Sequence, residues 1–505
     1  MNAERLLEHY EKIAEAPDAI PKLRRFILDL AVRGKLTKRD SYKYDVKRLG
    51  EIATLQNGYA FKSEWFAKTG IRLLRNVNVG HGRIEWQNLV CLEQSKAIEF
   101  SRFELNCGDI VLSLDRPFIT TGTKVARVVE NDLPALLLQR VGRFVLSSSL
   151  DADFLYLWIT SPHFSSQIDA GRSNGVPHIS SKQVENAIIP LPSLAEQQRI
   201  VAKVDELMGI CDRLEVARKD REAIRDGFTT STLGRLSVAD ESTFRSDASF
   251  AIEHLRELTT RPDQIKQLRQ TILNLAVRGK LVPQDPNDEP AINKGKTTSL
   301  IEGARLQFEL PGNWRWVCVD EVAKARLGKM LDKAKNKGVS YPYLRNTNVH
   351  WFEIRLDDLK TIPLDDKEVD EYRLMEGDVL ICEGGHGIGR TAVWRGGPEI
   401  IVFQKALHRV RPLQMLNPDF FAYCCFVYFD SGILQNYFTG VGIPHFTGRA
   451  LGKLVFPLPP LSEQSRIVSC VIDLLQRCEQ ISDALQSRVA IEGRLITQLV
   501  DSEIH

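Results

Sequence analysis

The chain lacks any long hydrophobic run. The longest, Phe420 to Phe429, has ten residues, against the roughly 20 that a membrane-spanning helix needs. Cysteine is sparse, nine in 505 residues, and no two stand in a CxxC pair. A zinc cluster or a disulfide framework therefore has little support, and the adjacent Cys424 and Cys425 read as buried thiols. The opening stretch, MNAERLLEHYEK, carries acids early and no apolar core of the signal-peptide kind. The expected compartment is cytoplasmic. Charge of one sign is also missing: 67 basic side chains face 65 acidic ones, a net charge of +2. Nucleic-acid binders are often strongly basic, so this balance at first speaks against one. What is present is an ordinary globular mixture, 43% hydrophobic and 26% charged, which excludes a mostly disordered chain. At roughly 100–200 residues per domain, the length implies two to four domains.

The chain repeats itself. LRRFILDLAVRGKL (Leu23–Leu36) returns 245 residues later as LRQTILNLAVRGKL (Leu268–Leu281). PLPSLAEQQRIVAKVDELM (Pro190–Met208) returns 267 residues later as PLPPLSEQSRIVSCVIDLL (Pro457–Leu475). Shorter echoes keep the same order: LRNVNV (Leu74–Val79) and LRNTNV (Leu344–Val349), CGDIVLS (Cys107–Ser113) and EGDVLIC (Glu376–Cys382), GVPHIS (Gly175–Ser180) and GIPHFT (Gly442–Thr447). Five matches in one order establish a duplication. The shorter offset of the first pair leaves extra residues before the second core, around DPNDEPAINKGKTTSL, a linker by composition.

Each repeat has two textures. Its core is punctuated by glycine and rich in short β-type runs such as IVLSL, KVARVV, VLIC and KLVFPLP. This predicts a mixed α/β (α+β) globule with an irregular antiparallel sheet. Its flank has no proline from Leu194 to Ser237, or from Leu461 to the last residue. Apolar residues there fall at helical spacing: Ile200, Val204, Leu207 and Cys211, then Ile467, Val471, Leu474 and Cys478. Pro-Leu-Pro before each run stops a strand and starts a helix, with Ser462 as an expected cap. Such long helices need partner helices along their length. The two AVRGKL helices are the obvious candidates, the last long helix on the first of them and the central one on Leu255–Leu281. The expected layout is a helical segment (1–43), a core (44–192), a spacer helix (193–237), a second helical segment (238–284), a linker (285–309), a second core (310–459) and a second spacer helix (460–505). Long antiparallel, coiled-coil-like helices would then give an approximate two-fold axis, so that one chain imitates a symmetric dimer.

Three motifs suggest catalysis and do not carry it. GGHGIGRT (Gly384–Thr391) resembles a phosphate-binding loop, with Arg390 in place of lysine. Such a loop opens a helix, whereas AVW follows here, so a glycine turn between strands is expected. NPDF (Asn417–Phe420) is near the [ND]PP[YF] signature of amino-methyltransferases, but aspartate replaces the second proline and the first repeat has DADF (Asp151–Phe154). It reads as a helix start. His178 and His445 share a Pro-His motif but have no nucleophile or metal-spaced set beside them.

Overall balance hides local bias. Between Lys22 and Arg48 stand ten basic residues against three acidic. In the first core, Arg72, Arg75, Asn76 and Asn78 share one short run, with Lys62, Arg116, Lys124, Arg172, Asn174, His178 and Lys182 in loops. The second core offers Lys329, Lys333, Lys335 and Lys337, then Arg345, Asn346, Asn348 and His350, followed by Arg390, His445 and Arg449. Arg and Lys suit phosphates and guanine, and Asn suits adenine. The alternative for the Asn-X-Asn pairs is to cap a turn.

The Pro-Leu-Pro plus EQxRIV segments, the LAVRGKL helices, the GDIVLS and GDVLIC strands and the GVPHIS and GIPHFT loops together resemble type I restriction–modification specificity subunits. The resemblance covers nearly the whole chain. It implies that each core is a target recognition domain reading one half of a bipartite double-stranded DNA target. Because the cores differ, the target is expected to be asymmetric. The helices would set the spacing and dock two methyltransferase (modification) subunits, with Arg199, Val204, Leu207, Arg466, Val471 and Leu474 as docking residues. The resemblance also implies restriction subunits as partners and no catalysis in this chain. S-adenosylmethionine, ATP and magnesium are then expected on the partners. The alternative reading is a free-standing bipartite DNA-binding protein or regulator.

Overall fold

Both AVRGKL segments end a helix by the same main-chain device. In the computed structural model the first helix spans Ala19–Val32 and its counterpart Pro262–Val277. Gly34 N–H donates to Ala31 O and Lys35 N–H to Leu30 O; Gly279 and Lys280 do the same to Ala276 and Leu275. This is a Schellman ending, which needs a left-handed residue after the helix. Gly34 and Gly279 supply it, with φ of 66° and 71°. The repeated Arg-Gly-Lys therefore records a helix stop.

The structure describes residues 18–37, 44–169, 172–173, 176–238, 241–291, 308–332, 336–397, 399–440, 442 and 444–504. The chain divides into two units, one made of residues 1–221 and 487–505, the other of 222–486.

In the first unit the core is closed by its two ends. Strand Asp45–Arg48 pairs antiparallel with Ile188–Leu191. Between them lies a four-stranded antiparallel sheet in the order Ala53–Asn57, Val141–Leu146, Ile110–Ser113, Val125–Arg127. A second sheet holds Ala135–Leu137, Ile71–Leu74, Cys91–Leu92 and Phe66–Ala67, and its first pair is parallel. Helix Ala152–Thr160 follows, capped by Asp151, whose carboxylate accepts the N–H groups of Asp153 and Phe154. The main core packs Ile20, Ile27 and Ala31 of the first helix and Phe154 and Trp158 of the capped helix against Ile200, Val204 and Cys211. The last three belong to a continuous helix, Leu194–Val238. The first helix thus packs on the front half of the central long helix, a pairing that chain order alone did not suggest. Arg24 ties the two helices by donating to Asp212 at 2.6 Å and Glu215 at 3.1 Å.

The second unit repeats this plan. Arg315–Cys318 pairs with Val455–Leu458. The antiparallel sheet runs Ala323–Leu327, Leu407–Pro412, Val379–Cys382, Thr391–Val393. A three-stranded sheet places Val339–Leu344 between Lys360–Leu364 and Val402–Phe403, the latter parallel. Asn417 caps helix Pro418–Asp430, so DADF and NPDF are both helix starts. GGHGIGRT is a turn between the antiparallel strands Val379–Cys382 and Thr391–Val393. Ile467, Val468, Val471 and Cys478 of the second long helix, Leu461–Ile504, join this core. Ser462 does not cap that helix: it lies in the first turn, where its hydroxyl donates to Asp288 at 2.6 Å. Leu233 and Leu236, from the rear half of the central helix, pack with Ala251, Leu258 and Leu275. Arg261 fastens this junction by donating to Glu222 at 2.7 Å and to Asp226.

Candidate nucleic-acid interface

In each core, four loops meet at one end of the antiparallel sheet, held by main-chain hydrogen bonds. In the first core, the loop leaving strand Ile110–Ser113 accepts Ile179 N–H on Leu114 O at 2.9 Å and donates Leu114 N–H to Arg140 O at 2.9 Å. Arg116 N–H donates to Pro177 O at 2.7 Å, and Gln139 N–H to Tyr59 O at 2.8 Å. In the second core, Phe446 N–H donates to Glu383 O at 2.7 Å, Glu383 N–H to Ala406 O at 2.9 Å and Lys405 N–H to Lys329 O at 2.7 Å. Asp115 bridges His178 as Gly384 bridges His445. Gly58 and Gly328 let the chains close up: a Cβ would lie 2.3 Å from Leu138 O in one and 2.2 Å from Gln404 O in the other. The Pro-His motif is therefore an anchor that brings its loop onto the strand end.

These loops carry the charge. Arg116, Lys182 and Lys62 are exposed in the first core, with Lys62 3.7 Å from Glu64 and 5.5 Å from the Trp65 ring centre. Lys124 is half-buried and donates to Asn76 O at 2.5 Å. Burial, and then repulsion from Arg116, pulls its pKa below the ordinary lysine value. His178 lies 2.8 Å from Asp115 and 3.0 Å from the Arg140 guanidinium. In the second core His445, Arg449 and Lys405 are exposed and Arg390 is half-buried. Lys329 is paired with Glu368.

Several expected contact residues build the loops instead. Asn78 and Asn348 are buried. Asn78 Oδ1 accepts Arg75 N–H at 3.2 Å while Nδ2 donates to Glu85 O and Gln87 O at 2.9 and 3.1 Å. Asn348 does the same with Arg345 N–H, Arg355 O and Asp358 O. A buried amide satisfied in this way has its polar groups committed to the turn. Arg72 donates to the carbonyls of Asn131, Leu133 and Pro134 and lies 4.9 Å from the Trp86 ring centre. Arg75 donates to Asn88 O, and Arg345 to Asp358 O at 2.9 Å and its carboxylate at 2.5 Å. Asn76 and Asn346 are half-buried between these groups, and His350 sits in the short hairpin of Val349–His350 with Glu353–Ile354. Asn174, Lys333 and Lys335 lie outside the described residues. Of Arg172 only the backbone is described, paired with Pro177.

Of the expected docking residues, the apolar ones turn inwards. Val204 and Val471 are buried in their own cores, and Leu207 and Leu474 pack partly against the same cores. Arg199 bonds Glu196 at 2.8 Å and Arg466 bonds Asp288 at 2.7 Å. Val204 and Val471 are thus spent on their own cores, while Leu207, Leu474, Arg199 and Arg466 keep part of their surface open. The long helices expose other apolar side chains, including Val216, Ile224, Ile472 and Ile491. Sequence reasoning missed Arg140 and Lys405, both at the loop junction. The signal was a Gln-basic dipeptide between two β-type runs in both repeats, Gln139–Arg140 and Gln404–Lys405.

Among the described residues no group of His, Cys, Asp and Glu is placed to hold a metal ion. No described helix is long and apolar enough to cross a membrane.

The family model for the type I restriction modification DNA specificity domain matches residues 42–221 and 311–489. The EcoAI specificity subunit of Escherichia coli is 35% identical over 281 residues, covering 46% of this chain and 48% of that protein. The EcoEI specificity subunit, also from Escherichia coli, is 26% identical over 396 residues, 71% of this chain and 66% of that one. The chain thus spans about half to two thirds of the length of these two relatives. A solved chain of a type I R-M system, from work on its complex assembly and conformational transition, aligns with a TM-score of 0.53 at 18% identity, over 93% of this chain and 99% of that one. At that identity the likeness concerns the fold. The two family matches fall on the two cores and on the front halves of the two long helices, and by them this chain belongs to the family of proteins built on the type I restriction modification DNA specificity domain.

Proposed function

We propose that the chain is the DNA specificity subunit of a type I restriction–modification complex. Each core reads one half of a bipartite, asymmetric target in double-stranded DNA. The observation that carries this reading is the double match to a DNA specificity domain, on two cores whose loop junctions share a backbone and differ in side chains. The same main chain presenting different groups fits two different half-sites.

The long helices set the distance between the half-sites and dock two modification subunits. Their 45 and 44 continuous residues extend about 67 Å at 1.5 Å per residue. Two modest recognition surfaces on a stiff rod raise each other's effective concentration only when the spacing matches. The chain supplies sequence reading and no catalysis. S-adenosylmethionine belongs to the modification subunits, and ATP and magnesium to restriction subunits. The working compartment is the cytoplasm.

The test exchanges the core Tyr44–Pro190 for that of a related protein and maps methylated sites in the host. One half-site changes and the other stays. A change in both halves refutes modular reading. Deleting about one heptad from the central helix should alter the gap alone, and an unchanged gap refutes the spacer role. The purified chain, mixed with DNA and S-adenosylmethionine, should transfer no methyl group.

A further inference from the structure

We propose that Arg140 reads a guanine in the half-site of the first core, positioned by His178 and Asp115, and that the second core has no such reader at the equivalent place. The inference rests on the DNA-specificity reading above and names the group that the first core uses.

Arg140 sits at the apex of its turn with φ of 71°, and its side chain is 53% exposed. One terminal nitrogen, Nη1, lies 3.0 Å from His178 Nε2. His178 Nδ1 lies 2.8 Å from the Asp115 carboxylate and 3.0 Å from Leu114 O. Both of those oxygens can only accept, so Nδ1 carries the ring proton. Arg140 Nη1 lies 3.3 Å from Nδ1 as well as 3.0 Å from Nε2, so it packs against the face of this oriented ring. Asp115 itself lies 3.9 Å from Nη1. The ring, fixed by Asp115 and Leu114, restrains one terminal nitrogen of the long side chain and leaves the rest of the guanidinium facing outwards. The other edge, Nε and Nη2, has no hydrogen-bond partner among the described residues. Two parallel donors held at a fixed angle are the match for O6 and N7 of guanine. Exposed Arg116 on a neighbouring loop and Lys182 on the short helix Ser181–Glu185 supply charge for the phosphates.

The second core keeps the backbone and drops the reader. Ala406 takes the place of Arg140 with φ of 95°, and Gly384 takes the place of Asp115. A Cβ at Gly384 would come within 3.0 Å of His445 Nδ1, so an acid cannot be seated there without moving the ring. Lys405, one residue earlier in the turn, offers a point charge and no fork.

The experiment selects sequences from a random duplex library with the full chain and the modification subunit of its host. It compares the wild type with Arg140→Ala and Arg140→Lys. Ala406 shows that alanine is accommodated in this turn, and matched thermal midpoints confirm folding. The wild type should select a bipartite sequence with a guanine in one half. Both variants should relax that position alone, by about 10- to 100-fold. The lysine variant should keep the salt dependence of the wild type. An intact sequence preference in Arg140→Ala, with affinity lowered uniformly and the salt slope reduced by about one, would make Arg140 a phosphate contact and overturn the inference. Relaxation in both halves would overturn it as well. If the wild type selects no bipartite sequence, the specificity reading itself fails, an outcome distinct from the other two.

Discussion

Gln464 holds Asn417 in place: its side-chain oxygen accepts Asn417 N–H at 2.7 Å, and Asn417 caps the buried helix Pro418–Asp430. Gln197 does the same for Asp151, also at 2.7 Å. Each glutamine is fully buried and donates its amide to two further carbonyls, Met415 and Pro459 in one case, Ser149 and Pro192 in the other. The glutamine of EQxRIV is thus a staple between the start of a long helix and the core before it.

Replacing Gln464 or Gln197 by leucine keeps the volume and orphans three main-chain groups, one buried and two partly buried. Each substitution should cost about 2–3 kcal/mol, read as a lower urea midpoint with an unchanged slope. A loss under about 0.5 kcal/mol, the range of an ordinary surface change, would show that these bonds are dispensable.

Asn78 and Asn348 should behave as structural residues. Alanine at either should lower stability by about 1–3 kcal/mol, since buried donors and acceptors lose their partner. The selected DNA sequence should stay the same once the protein is folded. A changed base preference in a folded Asn78→Ala protein would return Asn78 to the list of readers.

Stability should fall on mild acidification because of His408. It is buried, and Nε2–H donates to Phe446 O at 2.8 Å. Burial holds its pKa below the ordinary value of 6.5. Below pH 6.5 the unfolded chain takes up a proton that the folded chain refuses. The contribution is therefore full above pH 6.5 and is lost progressively as pH falls towards the folded pKa. Thermal midpoints followed from about pH 7 down to about pH 5 should drop less steeply for His408→Asn than for the wild type. Parallel curves would rule His408 out as the source.

The helix stops offer a fourth check. A Cβ at Gly34 meets the Tyr44 ring at 2.2 Å, and one at Gly279 meets Pro311 at 2.5 Å. Left-handed backbone adds its own cost for any L-residue, so alanine at either should destabilise by about 1–2 kcal/mol or more. Calorimetry of the two variants would expose a neutral substitution at once.

Much of the fold was readable because duplication shows as repeated spelling. Asp151 and Asn417 announce helix starts through local capping, and Gly34 and Gly279 announce stops through backbone conformation. Both are local effects that a short segment carries alone. The parallel strand pairs, Ala135–Leu137 with Ile71–Leu74 and Tyr343–Leu344 with Val402–Phe403, were not readable, because distant hydrogen bonds set that register. The candidate interface was legible as a set of loops and illegible as a set of residues. Composition cannot tell an exposed asparagine from one folded inwards, as Asn78 is. The stripe through Val204 and Leu207 was rightly apolar, but periodicity reports burial without saying against what. Arg140 stood in no basic run at all.

The loop junctions are tied almost wholly by peptide groups, such as Ile179 to Leu114 and Phe446 to Glu383. Peptide groups are the same whatever side chains they bear. Side chains at positions 115 and 140, or at 406, can therefore change while the peptide frame stays in place, whereas 384 is held to glycine by the His445 ring. On the proposed reading, a single substitution there re-letters one half-site and leaves the other alone.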